Sequence, residues 1–215
     1  YLADMAKYAT PTETPRIMAV WNSIPQQLAK ENHKFQYKLI KSGGRAAIYE
    51  NAIAWLDAAG IIMRCTQVTE ATAPLKTFEN SSSFKIYTAD VGLLSAQYEA
   101  IPQDLEPATD KAAGFRGGIT ENYVLQQLVA SDSSVYYWGT TSKAEVEFIA
   151  RAKQGDVIPI EVKSGRNVTA RSLESFRERY HPPYLVRVSA RNFGVGNGIR
   201  SIPLYAAWLL GEDLQ

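Results

Sequence analysis

Apolar residues recur at helical spacing in the first sixty positions. Pro15 can open a helix in which Ile17, Met18, Trp21, Ile24 and Leu28 follow one another at intervals of one, three, three and four, the spacing of a single buried face. Pro25 leaves two forms open: one helix passing through it, or a separate short helix over 25–32, since proline opens helices more readily than it interrupts them. Gly43 and Gly44 then punctuate the chain. The clearest helical pattern follows at 45–59, with Ile48, Ala52, Trp55, Leu56 and Ala59 on one side and Glu50, Asn51 and Asp57 on the other. Gly60 suits the position just past a helix, and IIMRC reads as a strand. Helix, short helix, longer helix and strand in about 55 residues is the order of a winged helix-turn-helix.

Residues 66–83 read as a loop rich in Thr, Ser and Glu, followed by a short strand FKIYT at 84–88 and a helix over 89–96 with Asp90 as its N-cap. Two prolines and a surplus of acid over 97–115 (Glu99, Asp104, Glu106, Asp110) mark a junction. Beyond it the pattern predicts a helix at 119–130, strands SVYYWG, AEVEFIAR and VIPIEVK, a helix at 169–180, a strand YLVRVS at 184–189 and a closing helix IPLYAAWLL at 202–210. NFGVGNG at 192–198 has glycines but no strand-to-helix setting like that of a dinucleotide site, and reads as a flexible connection. A helix, a hairpin, a further helix and another strand predict an α/β (α+β) layer domain with a mixed sheet. Three regions result: a helical, winged-helix-like region at 1–70, a connecting segment at 71–115, and a mixed-sheet domain at 116–215.

Composition narrows the function classes. Of 215 residues 46% are hydrophobic and 21% charged, ordinary for a globular protein, and a net charge of +1 does not by itself call for a polyanionic partner. The single cysteine, Cys65, excludes an intramolecular disulfide and a cysteine zinc cluster, and suits the reducing cytoplasm. No run approaches a membrane span, and YLADMAKYAT has neither the basic start nor the apolar stretch of a signal peptide. A first residue other than Met leads us to expect a piece of a longer protein. His33 and His181 have no partner motif, and Trp21, Trp55, Trp138 and Trp208 sit within apolar patterns expected to serve the core.

The chemistry concentrates in the hairpin 145–165. Alternation puts Val146 and Phe148 on one side of their strand and Glu145, Glu147 and Ile149 on the other. In the next strand Ile158, Ile160 and Val162 oppose Val157, Pro159, Glu161 and Lys163. The all-apolar sets are expected to line the buried face. A loop at 152–156 pairs 151 with 157 and therefore 147 with 161, setting two carboxylates face to face, whereas a two-residue slip dissolves that pairing. Facing carboxylates are tolerated when they share a proton, meet a cation or bind a divalent metal. Lys163 is placed to be that cation, or to position or deprotonate a water while Glu147 and Glu161 hold Mg²⁺. Glu121 on the preceding helix adds a further carboxylate. A solvated strand face would carry the same charges at little cost.

The segments GITENYVLQQL, YYW, AEVEFI and IPIEVKSG resemble the restriction-endonuclease-like module that ends a group of bacterial and archaeal AAA-type ATPases, a C-terminal domain of uncharacterised function. The resemblance continues upstream through RIMAVWNSIPQQLAKENHKFQYKLI, YENAIAWLDAAGII and FKIYTADVGLL, and so covers nearly the whole chain. It implies a PD-(D/E)XK fold in which Glu121 matches the acid of the first nuclease helix, and Glu161 and Lys163 match the acid and lysine of the (D/E)xK element. Glu147 stands where the pattern usually has Asp, and one added methylene can displace a metal-binding oxygen by about an ångström. The resemblance also implies a missing N-terminal ATPase domain as partner. No GxxxxGK[ST] occurs, so ATP binding is not expected of this chain.

Basic residues supply candidate nucleic-acid contacts: Lys34, Lys38, Lys41 and Arg45 ahead of the predicted recognition helix, and Arg166 and Arg171 in the second half. Glu50 and Asp57 on that helix argue against base readout. Two functions therefore compete. One is a nucleic-acid-associated, nuclease-like module with Mg²⁺-dependent phosphodiester hydrolysis and DNA as partner. The other is an inactive nuclease-fold scaffold or regulatory module docked to the ATPase, to another protein or to itself.

Overall fold

The computed structural model describes residues 5, 7–30, 33–106, 113–140, 144–165 and 171–214. The architecture is mixed α/β: a helical N-terminal stretch and an eight-stranded mixed sheet in the order β2-β1-β3-β4-β5-β6-β8-β7. The chain divides into two compact units, each built from two separate stretches: Tyr1–Arg64 with Lys85–Gly118, and Cys65–Phe84 with Ile119–Gln215.

In the first unit, α1 (Thr14–Leu28) passes straight through Pro25 and buries Ile17, Val20, Trp21, Ile24 and Leu28. A proline has no N–H for the carbonyl four residues back. Here that carbonyl, on Trp21, accepts instead from Gln97 Nε2 at 3.1 Å, and the Pro25 carbonyl accepts from the Tyr98 hydroxyl at 2.6 Å. The one-helix form is thus completed from a distant segment. α2 (Ala46–Ala58) buries Tyr49, Ala52, Ile53 and Leu56, at i, i+3, i+4 and i+7, and leaves Ile48 exposed. Its core face is rotated from the expected Ile48–Trp55 side because the sequence carries two overlapping apolar stripes and tertiary packing selects one. Gly60 ends the helix at φ +65°: its N–H donates to the Asp57 carbonyl and that of Ile61 to Leu56, the Schellman pattern. α3 (Val91–Gln97) is capped by Asp90, which accepts from the N–H groups of Gly92 and Leu93.

The strands run longer than their hydrophobic signal. β1 is Ile62–Val68 and β2 is Glu79–Thr88, reaching five residues ahead of FKIYT through Glu79–Ser83, polar positions with no apolar alternation to announce them. α4 (Ala113–Ala130) likewise begins six residues before the predicted start and runs through Gly117 and Gly118. A Cβ on Gly114 would come 2.2 Å from the Ala29 carbonyl oxygen, and one on Gly118 2.6 Å from that of Leu28. Glycine here serves close approach to a backbone, not a helix end.

In the second unit, β3 (Val135–Gly139), β4 (Glu145–Arg151) and β5 (Val157–Val162) form an antiparallel run, while β1 joins β3, β5 joins β6 (Leu185–Ser189) and β6 joins β8 (Ile199–Pro203) in parallel. β7 (Gly194–Gly196) pairs antiparallel with β8, so the segment expected to be a flexible connection is a hairpin. Beyond β8 the chain forms a 3₁₀ turn over Leu204–Leu209 and a four-residue helix, α6 (Leu210–Asp213), in place of the expected helix at 202–210. α5 (Arg171–Tyr180) lays Leu173 and Phe176 on a cluster of Val68, Ala71, Leu75, Trp138, Val146, Ile149, Leu185 and Ile199. Trp138 meets Phe176 and Tyr180 edge-on at centroid distances of 5.2 and 5.7 Å. Its indole N–H donates to the Tyr180 hydroxyl at 3.0 Å. Of the tryptophans expected in the core, Trp208 is 55% exposed.

Candidate functional site

Arg151 pairs with Val157, Ala150 with Ile158, Ile149 with Pro159 and Phe148 with Ile160, the register expected from a loop at 152–156. The recorded pairing ends there, and Glu147 reaches the end of β5 through its side chain, whose Oε2 accepts from the Val162 N–H. Two features depart from expectation. Between β3 and β4 the register shifts by one residue from Tyr136↔Ile149 to Trp138↔Val146, so Val146 and Ile149, three apart, share one apolar cluster instead of lying on opposite faces. The face of Glu161 is also not the solvated one: α5 covers it, and every residue from Ile158 to Val162 is buried. A strand between two packed layers loses the polar side that alternation alone would give it.

Burial forces the charges to find partners. Glu161 is 1% exposed. Its Oε2 lies 3.3 Å from Arg187 Nε, and its Oε1 lies 3.6 Å from Lys163 Nζ. The same Lys163 Nζ donates to Glu147 Oε1 at 2.9 Å, while Glu147 Oε2 accepts from the Val162 N–H at 3.4 Å. Burial works against the charged form of Lys163, but Glu147, Glu161 and Glu121 outweigh it and hold the ammonium above its ordinary pKa. In this arrangement Lys163 is a counter-ion shared by Glu147 and Glu161. Glu121, on α4, is itself buried.

The expected Mg²⁺ site is not formed. Among the described residues no group of three or more His, Cys, Asp or Glu could hold a metal ion. The physical reason is on view in the pairing: the oxygens of Glu147 and Glu161 that a divalent ion would take are directed to an ammonium and a guanidinium. Mg²⁺ as cofactor, and Glu147 and Glu161 as its ligands, are therefore corrected.

Sequence reasoning does not single out Arg187. It stands opposite Glu161 in the parallel β5–β6 register and opposite Ser201 in β6–β8. The available signal is an arginine flanked by valines in the middle of the strand LVRVS, a position that demands a buried acid. Beside it opens a cavity of about 440 Å³ lined by Glu174, Arg187, Ser201, Ile199 and the stretch 194–197.

The candidate nucleic-acid residues are divided between the two units. Lys38, Lys41 and Arg45 are exposed in the first unit, and Lys34 there is half-buried at an isolated bridge to Lys85. Arg171 is exposed at the start of α5 in the second unit, and Arg166 lies outside the described residues. On α2, Glu50 accepts from the Tyr37 hydroxyl at 2.5 Å and pairs with Arg64 at 2.6 Å; burial opposes its charge, yet these two partners hold its carboxyl below the usual pKa.

Two family models match parts of the chain, both described as domains of unknown function: DUF8612 over residues 1–104 and DUF4143 over residues 116–207. No curated protein and no solved structure matches it. Among the described residues no helix is long and apolar enough to cross a membrane.

Proposed function

We propose that the chain is a catalytically inactive, restriction-endonuclease-like module of an AAA-type ATPase, with a winged-helix-like region ahead of it, acting as a scaffold or regulatory docking unit. One observation carries this reading: the two carboxylates expected to hold the metal are engaged by protein cations, Glu147 by Lys163 at 2.9 Å and Glu161 by Lys163 at 3.6 Å and Arg187 at 3.3 Å. Such pairing satisfies the buried acids without a metal and leaves the lysine protonated. The sequence resemblance supplies the nuclease fold and the ATPase context.

The test is a cleavage screen on single-stranded, duplex and branched DNA with Mn²⁺ or Mg²⁺, beside calorimetric titration of the same ions. No cutting and no saturable heat are expected. Divalent-dependent cutting that disappears in Lys163→Ala would overturn the reading.

A second reading, nucleic-acid contact by the first unit, is favoured by the exposure of Lys38, Lys41 and Arg45 ahead of α2 and by the neutralisation of Glu50 by Arg64. Such contacts would hold phosphates and leave sequence unread.

A further inference from the structure

β7 ends the sheet, and its outer side is unusual for an exposed edge. Residues 190–198 are all exposed, and from Asn192 to Gly198 they include no lysine, proline or charge of the kind that protects edge strands from pairing. The other end of the sheet is dressed differently, with Glu79, Asn80 and Ser82 along the start of β2.

The turn fixes which backbone groups β7 offers. Asn197 and Gly198 have φ of +50° and +70°, the two positive values of a type I′ hairpin, and such a turn closes on a hydrogen-bonded pair, here Gly196 and Ile199. Hydrogen-bonded and non-bonded pairs alternate along an antiparallel ladder, so Val195 opposite Arg200 is a non-bonded pair. The N–H and C=O of Val195 therefore point away from β8, off the sheet.

The side chains there are apolar. Val195 is 82% exposed, Phe193 56% and Tyr205 70%, and the Phe193 and Tyr205 rings meet edge-on at 6.4 Å. Phe193 and Val195 also line a groove of about 270 Å³ with Ile202 and Leu209. With aromatic side chains presenting 150–250 Å² each, these three residues leave roughly 400 Å² of apolar surface uncovered, about half of the ~800 Å² that each partner buries in a standard interface.

We propose that β7 is a self-association edge, pairing antiparallel with β7 of a second copy about a two-fold axis through Val195. Self-complementarity selects a second copy as occupant. Reversed upon itself, Gly194-Val195-Gly196 reads the same, so Val195 meets Val195 in a hydrogen-bonded pair, each glycine meets a glycine, and Phe193 of each chain lies opposite Asn197 of the other. The groove beside this edge in each copy, lined by Phe193, Val195, Ile202 and Leu209 together with Arg200 and Glu212, adds to the surface available for pairing.

Sedimentation velocity and light scattering of the whole chain test this. The wild type is expected to be a dimer at micromolar concentration, with amide exchange at Val195 slowing as concentration rises. Val195→Pro removes only an outward N–H, because the bonds to β8 belong to Gly194 and Gly196; losing both symmetric hydrogen bonds should weaken the dimer by about tenfold or more. Val195→Lys, which keeps the backbone intact, should also give a monomer. A wild type that stays monomeric, or captures an added extended peptide at this edge in preference to itself, overturns the proposal, as does a folded Val195→Lys chain that still dimerises.

Discussion

Glu161 and Arg187 sit opposite one another in the parallel register of β5 and β6, and the guanidinium Nε lies 3.3 Å from the carboxylate Oε2 with both side chains almost fully buried. Lys163 approaches the other oxygen at 3.6 Å. Removing one partner of a buried pair leaves an uncompensated charge, which costs more than removing both. Arg187→Met is expected to lower unfolding free energy by about 3 kcal/mol, the lower part of the usual range because Lys163 remains. The Glu161→Met, Arg187→Met double variant should recover most of that loss. Urea unfolding of the four proteins of the cycle checks it, and a single-variant loss under about 1 kcal/mol would refute a structural role for the pair.

The raised pKa of Lys163 has a definite pH signature. Its folded value lies above the unfolded value of about 10.4, so its protonated form is the one that folding favours. The resulting stability is complete below about pH 10.4 and is lost as pH rises through the folded pKa. The gap in unfolding free energy between wild type and Lys163→Met should therefore be constant from neutral pH to about 9 and shrink above 10.4. A gap that widens with pH would mean the carboxylates do not hold this ammonium.

Three glycines of α4 should respond in opposite directions. Alanine in a helix interior ordinarily gains up to about 1 kcal/mol over glycine. Gly117→Ala should show that gain, since its Cβ would meet nothing nearer than His33 Cε1 at 3.9 Å. Gly118→Ala and Gly114→Ala should instead lose about 1–3 kcal/mol, because the new Cβ would stand 2.6 Å and 2.2 Å from backbone oxygens of α1's end. Melting temperatures of the three variants decide the matter, and a stabilised Gly118→Ala would contradict the close approach.

If the first unit binds nucleic acid through Lys38, Lys41 and Arg45, replacing all three with alanine should weaken duplex binding at low salt without changing sequence preference. The slope of log affinity against log salt should fall by about 0.9 for each phosphate that is no longer neutralised. Fluorescence anisotropy across a salt series measures both, and an unchanged slope would discard these residues as phosphate ligands.

Legibility varies with the kind of signal. Asp90 as an N-cap, Gly60 past α2 and the β4–β5 register are readable because caps and tight turns are local and use few residue types. Asn197-Gly198 carries the same sort of information, the two-residue hairpin signal, but Gly194 and Gly196 give the flanking strand no alternation to mark it as a strand. The early start of β2 is hidden for a related reason: Glu79–Ser83 takes its form from its place in the sheet, and its own composition is that of a loop.

The candidate site divides along the same line. Sequence by itself determined the element types as far as β6, the β4–β5 hairpin and the closeness of Glu147, Glu161 and Lys163, because strand period and loop length act over a few residues; β7, β8 and the 3₁₀ turn after them were not legible in it. It did not contain the fate of those charges. That depended on Arg187, 26 positions beyond Glu161, being brought beside it by a parallel pairing, and on α5 closing over the face that alternation had left to solvent. Burial and long-range partners are properties of the assembled layers, and they turned a carboxylate pair expected to hold a metal into a pair satisfied by two cations.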